Sequence, residues 1–249
     1  MEKGSEELLS GYSSKEKAAY LGALASLATA DRHADEQELE HFREMARSAG
    51  LQEEETQTII KAADDTSGDQ LLKSLDALKT SELRFSLVTD MIALAKTDEN
   101  YTPAERANIE KVSKYLGVNK DQFATIDEFV DKAADKNPGE DEITNPQFMQ
   151  SLGMQNQFAG TGLNLSSIGK GLLRYLGPMI LGGMAAKTLG GRRGSSGGGL
   201  GGMLGNNPMG MGRSGSPGGL GGGLGSLIAG MARGRGNQSI GGMLGRLLR

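Results

Sequence analysis

The first 136 residues contain apolar residues that recur at intervals of three and four positions, the spacing that places them on one face of an α-helix. No stretch alternates apolar and polar residues with period two, so we expect no β-sheet. The pattern predicts an all-α domain of seven helices. They run from Ser13 to Asp31, at about 35–49, at about 52–64, from Ser67 through Leu78, from about Ser81 through Leu94, from Pro103 to Leu116, and from Asn119 through Val130.

Several of these helices carry their own start and stop signals. Ser13 with Glu16, and Asn119 with Gln122, have the spacing of a capping box, in which each side chain accepts a hydrogen bond from the other residue's backbone N–H. Gly50 follows the second helix, where glycine readily adopts the left-handed conformation that ends a helix. These signals support the boundaries that the apolar periodicity predicts.

The same pattern occurs twice, with a shift of 67 residues. The stretch TADRHADEQE, which contains Asp31 and Glu38, corresponds to TDENYTPAE, which contains Asp98 and Glu105. The flanking apolar and glycine positions correspond as well: Leu21, Leu24, Leu27, Phe42, Met45, Gly50 and Leu51 map onto Val88, Met91, Leu94, Ile109, Val112, Gly117 and Val118. We therefore expect two three-helix units, joined by a connecting helix, whose apolar faces cover each other.

Composition divides the chain into two parts. Residues 1–142 carry all 31 acidic residues and a formal charge of −14, whereas residues 143–249 carry ten basic residues and no acidic one. The second part also holds 32 of the 39 glycines. This composition predicts a helical domain over residues 1–136 that folds alone, a polar linker over 137–166, and a largely disordered, low-complexity basic tail over 167–249.

The sequence excludes several functional classes. The chain has no cysteine, so it has neither a disulfide nor a thiolate metal site. It contains no nucleophile elbow and no phosphate-binding loop, and we expect neither an enzyme nor a small-molecule substrate. The start lacks a secretory signal, and the longest apolar run, residues 175–186, is shorter than the roughly 20 residues that span a membrane. We expect a cytoplasmic protein.

The repeated unit combines an alanine-rich first helix, a loop Asp, a Glu seven residues later and a closing Gly-apolar pair. This arrangement resembles the TerB domain family, named for tellurite resistance, over about residues 13–134. The family's Ala-Asp-Gly becomes Ala30-Asp31-Arg32 in one repeat and Thr97-Asp98-Glu99 in the other, so the loop glycine is absent from both. The resemblance implies an all-α domain, a stress-response setting of the tellurite-resistance type, and an acidic surface that associates with metal.

The acidic loops have two interpretations. Asp35 and Thr102 stand at predicted N-caps, and Glu38 and Glu105 stand three residues later, so capping accounts for most of the pattern. A divalent cation such as calcium is the alternative. Its candidate ligands are Asp31, Glu38, Asp98 and Glu105. Neither loop has the glycine and the final Glu of an EF-hand, and no cofactor is required by the sequence.

The tail contains three similar segments, which begin at Ser167, Ser226 and Ser239. Each has an aliphatic residue second, Leu or Met sixth and Arg eighth. The candidate docking residues are Ile168, Leu172, Arg174, Leu227, Met231, Arg233, Ile240, Leu244, Arg246, Leu247 and Leu248. A basic, apolar tail suits an anionic membrane surface, a protein partner or the acidic head of its own chain. Sparse Arg and few aromatic residues argue against RNA.

These observations lead to one functional hypothesis and one alternative. The first is a non-enzymatic adaptor whose acidic helical head binds a partner or a divalent cation, while the basic tail docks to a membrane surface or a protein. The alternative is a cargo or scaffold protein, because the closing SIGGMLGRLLR resembles the short peptides that load cargo into encapsulin shells. Three weak copies would then act through multivalency. A peripheral membrane location, or one inside a protein compartment, accompanies these hypotheses.

Overall fold

The computed structural model describes residues 8–28, 34, 36–65, 67–97, 102–136, 138, 142–143 and 145–171. These residues form α-helices and, within the described ranges, no β-strand. The helices are α1 (Ser14–Ala28), α2 (Glu36–Ser48), α3 (Glu53–Ala63), α4 (Asp69–Leu78), α5 (Leu83–Thr97), α6 (Pro103–Tyr115), α7 (Lys120–Lys136), α8 (Pro146–Leu152), α9 (Gln155–Thr161) and α10 (Leu165–Ile168).

The structure confirms the all-α fold and the internal repeat. A shift of 67 residues maps α2 onto α6 at both ends and places the first residue of α3 on the first residue of α7. The predicted capping box of α1 is present, because Ser13 N donates to Glu16 Oε2 at 3.0 Å and Glu16 N donates to Ser13 Oγ at 3.3 Å. Gly50 and Gly117 have φ of 68° and 76° just after α2 and α6, as the sequence predicts.

Helices α1 and α5 lie at the centre of the domain. α1 packs against α2, α3, α4 and α5, and α5 packs in addition against α6, α7 and α10. Small residues allow this crowding: a β-carbon at Gly22 would lie 3.1 Å from Ser74 Oγ and 3.7 Å from Ala62 Cβ. Because neighbours surround both helices, they are apolar on nearly every side, as a helix buried in a core must be.

The prediction of seven helices and a polar linker differs from the structure. Three further helices, α8 to α10, lie within or directly after the segment 137–166, and their apolar side chains enter the core. The buried residues are Ile143, Phe148, Met149, Leu152, Met154, Phe158, Leu163 and Ile168. Phe129 of α7 makes edge-to-face ring contacts with Phe148 and Phe158, with centroid distances of 6.4 and 5.8 Å. The helical domain therefore continues to Gly171.

Helix α10 has the same relation to the second repeat as α4 has to the first. Each packs on the central helix of its unit, α4 on α1 and α10 on α5; α4 follows its unit directly, whereas α8 and α9 come between α7 and α10. α4 has ten residues and α10 has four. A later helix thus covers the central helix of each repeat, and the one over α5 is the shorter.

Two predictions concern residues beyond Gly171. Both the predicted disorder of the tail and the apolar run at 175–186 lie outside the described residues. Among the described residues no helix is both long enough and apolar enough to cross a membrane.

Candidate functional site

The two acidic loops connect α1 to α2 and α5 to α6. Asp31 and Asp98 lie outside the described residues, as does the side chain of Glu105 in the first turn of α6. Glu38 lies in the first turn of α2, is only 6% exposed, and already takes part in a polar interaction within the chain. A carboxylate in the first helical turn is stabilised by the unpaired N–H groups there. Within the described ranges no three metal-ligating side chains come together.

A charge network links the end of α5, the start of α6 and the middle of α7. Lys96 Nζ lies 2.6 Å from Asp127 Oδ1 and 2.6 Å from Asp131 Oδ1, and Arg106 lies 3.2 Å from Asp127 Oδ2. The side chains of Lys96 and Asp127 are only 10% and 14% exposed. Such partly buried ion pairs are screened less by salt than exposed ones. The network therefore ties three helices together and gives the carboxylates of Asp127 and Asp131 a cationic partner.

The first repeat has no such network at the equivalent positions. Leu39 stands where the second repeat has Arg106, and Ile60 stands where it has Asp127. Both residues are partly buried and pack against the hydrophobic core. The two halves of the domain consequently share a backbone pattern but differ in the chemistry next to their acidic loops.

The outer face of α2 carries exposed ion pairs. Arg43 lies 3.1 Å from both Glu36 and Glu40, and Arg47 lies 3.2 Å from Glu40. The hydrogen bonds from Arg43 and Arg47 lower the pKa of the Glu40 carboxyl. Glu36 is 82% exposed at its side chain, so the network leaves carboxylate oxygens on the surface that a cationic partner can reach.

One polar cluster was not predicted. Asp90, in the middle of α5, is 1% exposed and accepts a hydrogen bond from the hydroxyl of Tyr20 in α1, which is fully buried. One turn earlier, Ser86 Oγ donates to the backbone carbonyl of Ser167 at 2.8 Å. The backbone of Gly171 lies against both Tyr20 and Asp90. The signal available in the sequence was an Asp within an otherwise apolar helical stretch.

The predicted docking residues fall into two groups. Ile168 belongs to α10, is 0% exposed and packs in the core, so it is not on the surface of this structure. All the others lie outside the described residues: Leu172, Arg174, Leu227, Met231, Arg233, Ile240, Leu244, Arg246, Leu247 and Leu248. The first of the three tail segments is therefore partly a structural element of the helical domain.

The fold defines a class: a two-repeat, all-α domain with buried central helices and acidic loops between the first two helices of each repeat. Residues 17–128 match the family model described as tellurite resistance protein TerB. The match includes both repeats from α1 into α7 and confirms the resemblance found in the sequence. No curated protein and no solved structure matches the chain.

Proposed function

We propose that this protein is a non-enzymatic interaction module of the tellurite-resistance type, whose acidic head binds a cationic partner or a divalent cation. The observation that supports it is the match to the TerB family model over residues 17–128, which contain both acidic loops. The basic tail, in this proposal, docks the module to an anionic membrane surface or to a protein.

The surroundings of the loops support a specific division of roles. Asp127 and Asp131 pair with Lys96, so we assign these carboxylates to holding α5 and α7 together rather than to a ligand. The loop acids Asp31 and Asp98 remain the candidates for a cation, with Glu38 and Glu105 mainly stabilising the first turns of α2 and α6. Oxygen ligands of this kind suit calcium or magnesium.

Calorimetric titration of the full chain with calcium tests the cation part of the proposal. Asp31→Asn and Asp98→Asn should each weaken a stoichiometric heat signal, because each removes a charged oxygen ligand. The matched control is Glu54→Gln, an exposed acidic change on α3. Magnesium should compete only weakly if the site is large and irregular.

Two outcomes contradict the cation role. One is the absence of any saturable heat at millimolar calcium. The other is an equal loss of signal in Glu54→Gln, which would show diffuse attraction to the acidic head. Either result leaves the loops as capping structures and restricts the proposal to a protein or membrane partner.

A further inference from the structure

The central helices share a small polar surface inside the domain. It consists of Tyr20 from α1 and of Ser86 and Asp90 from α5, and we call it the α1–α5 polar face. Ser86 and Asp90 are one helical turn apart, and all three side chains are at most 1% exposed. Buried polar groups need polar partners. The Ser86 hydroxyl has its partner in the segment that covers this face.

The segment Ser167–Gly171 covers this face mainly with backbone. The Ser167 carbonyl accepts from Ser86 Oγ at 2.8 Å, and the Ile168 side chain is fully buried beside it. At the fifth position, a β-carbon on Gly171 would collide with the Tyr20 hydroxyl and the Asp90 carboxylate. A segment with an aliphatic second residue and a glycine fifth residue therefore fits this face without a shift of Tyr20 or Asp90.

The tail contains one further segment that meets this requirement. Ser226-Leu227-Ile228-Ala229-Gly230 has the serine, the aliphatic residue and the fifth-position glycine of Ser167–Gly171. The third copy, Ser239–Met243, has Met where Gly171 stands. We propose that the α1–α5 polar face is a docking site for the tail segment 226–230 of the same chain, which exchanges there with residues 167–171. This inference does not depend on the proposed cation or membrane function.

The exchange requires the resident segment to leave the face, and the helix that leads into it is short. α10 contains only four residues, and isolated helices of that length have almost no intrinsic stability. Its anchors on α5 include one hydroxyl–carbonyl hydrogen bond and one fully buried aliphatic side chain. Residues 172–225 are more than enough chain to return to the domain, and a tethered segment competes at an effective concentration near millimolar.

Cross-linking of the full chain tests the exchange, because the protein has no cysteine of its own. Tyr12→Cys places one thiol on the side of the docked segment that its fourth side chain reaches, since Lys170 Nζ lies 5.2 Å from the centroid of the Tyr12 ring. The second thiol is Ala229→Cys, at the fourth position of the tail segment. The matched control is Gly242→Cys, at the fourth position of the third copy. Both double-cysteine variants also carry Ile168→Ser, which weakens the resident segment.

A short bis-maleimide should give about tenfold more monomer-sized cross-linked product with Ala229→Cys than with Gly242→Cys, as expected for the loss of one clash at a packed contact. Adding Gly230→Ala should reduce the yield to that of the control. Equal yields at both positions, no effect of Gly230→Ala, or product that is mainly dimer-sized would overturn the proposal. If the chain with Ile168→Ser does not unfold cooperatively, Gly171→Ala is used in its place, because it displaces the same segment. The same comparison of cross-linking yields then decides between these outcomes.

Discussion

Individual buried polar side chains fix how the helices meet. Lys17 Nζ, at the start of α1, donates to the carbonyl of Ala49 at 2.7 Å, just beyond the end of α2. Ser26 Oγ donates to the carbonyl of Ala62 in α3 at 3.0 Å. Each bond satisfies a polar group that would be costly to bury alone. Because the bonds join different helices, they specify one arrangement of otherwise similar apolar faces.

The hydroxyl of Tyr20 should contribute measurably to stability. Tyr20→Phe leaves the buried Asp90 carboxylate with one hydrogen-bond donor fewer, so the free energy of unfolding should fall by about 1–3 kcal/mol. The matched control is Tyr115→Phe. The Tyr115 hydroxyl donates to the exposed Asp76 at 2.8 Å, so its loss should matter less. Urea unfolding of both variants measures the difference. Equal, small losses would show that the buried bond is not special.

The capping carboxylate Glu16 should contribute to acid sensitivity. Hydrogen bonds from Ser81 and Ser13 lower its pKa below the usual 4.5. A lowered folded-state pKa adds stability above the unfolded pKa, and that stability is lost as the pH falls through the folded-state value. Glu16→Gln should therefore lower the melting temperature at pH 7 and reduce its further decrease below about pH 4.5. Melting temperatures of parent and variant that fall equally with pH across this range would contradict this prediction.

At the scale of the element, short helices complete the domain. α8 and α9 contribute rings that pack on Phe129, and Gln122 Nε2 donates to the carbonyl of Thr161 at 3.2 Å. Gln157 adds a side-chain hydrogen bond to Glu128 at 3.0 Å. None of these helices is long enough to be stable by itself. They form because α5 and α7 offer an apolar surface to cover.

Two truncations separate the domain from the tail. Ending the chain after Lys136 removes α8 to α10 and exposes Phe129, so the melting temperature should fall by more than about 8 °C, which corresponds to a loss of several kcal/mol at this size. Ending it after Gly171 keeps every described helix, and the expected change is below about 3 °C. Differential scanning calorimetry of both truncations checks this. Similar melting temperatures for the two would restore the shorter domain that the sequence suggested.

At the scale of the whole molecule, charge is segregated along the chain. The acidic residues all precede residue 143, and the tail has only basic ones. Exposed charges attract each other over about 8 Å at physiological salt. Charge alone therefore gives association that weakens as salt rises, whereas buried leucine-sized side chains add about 1.5–3 kcal/mol each before ordering costs. Measuring binding at low and high salt therefore separates the electrostatic contribution from the apolar one.

Co-sedimentation with anionic vesicles makes that separation. Changing Leu244, Leu247 and Leu248 together to Ser should reduce binding of the full chain at high salt more than at low salt, because the remaining attraction is electrostatic. Arg246→Gln is the matched charge control and should act mainly at low salt. Equal binding of parent and triple variant at both salts would show that these residues only space the basic groups. Protein recovered by pull-down without vesicle binding would instead favour a protein partner, including a cargo shell.

The sequence by itself determined the all-α class, the two repeats and most helix ends. Those features depend on local signals, such as the Ser13–Glu16 capping box, the glycines at positions 50 and 117, which adopt positive φ, and apolar periodicity over three or more turns. Even the family resemblance rested on them. The helix bounds agree with loops between α1 and α2 and between α5 and α6, and a cation at these loops stays a prediction.

Only the tertiary structure decided where the domain ends and what its centre contains. Helices of four to seven residues are too short to show periodicity, and their Asn, Gln and Gly residues give the composition of a linker. They fold because distant residues such as Phe129 supply their partners. The pairing of Tyr20 with Asp90, 70 positions apart, likewise has no local signal, since two residues become neighbours there only when α1 packs on α5.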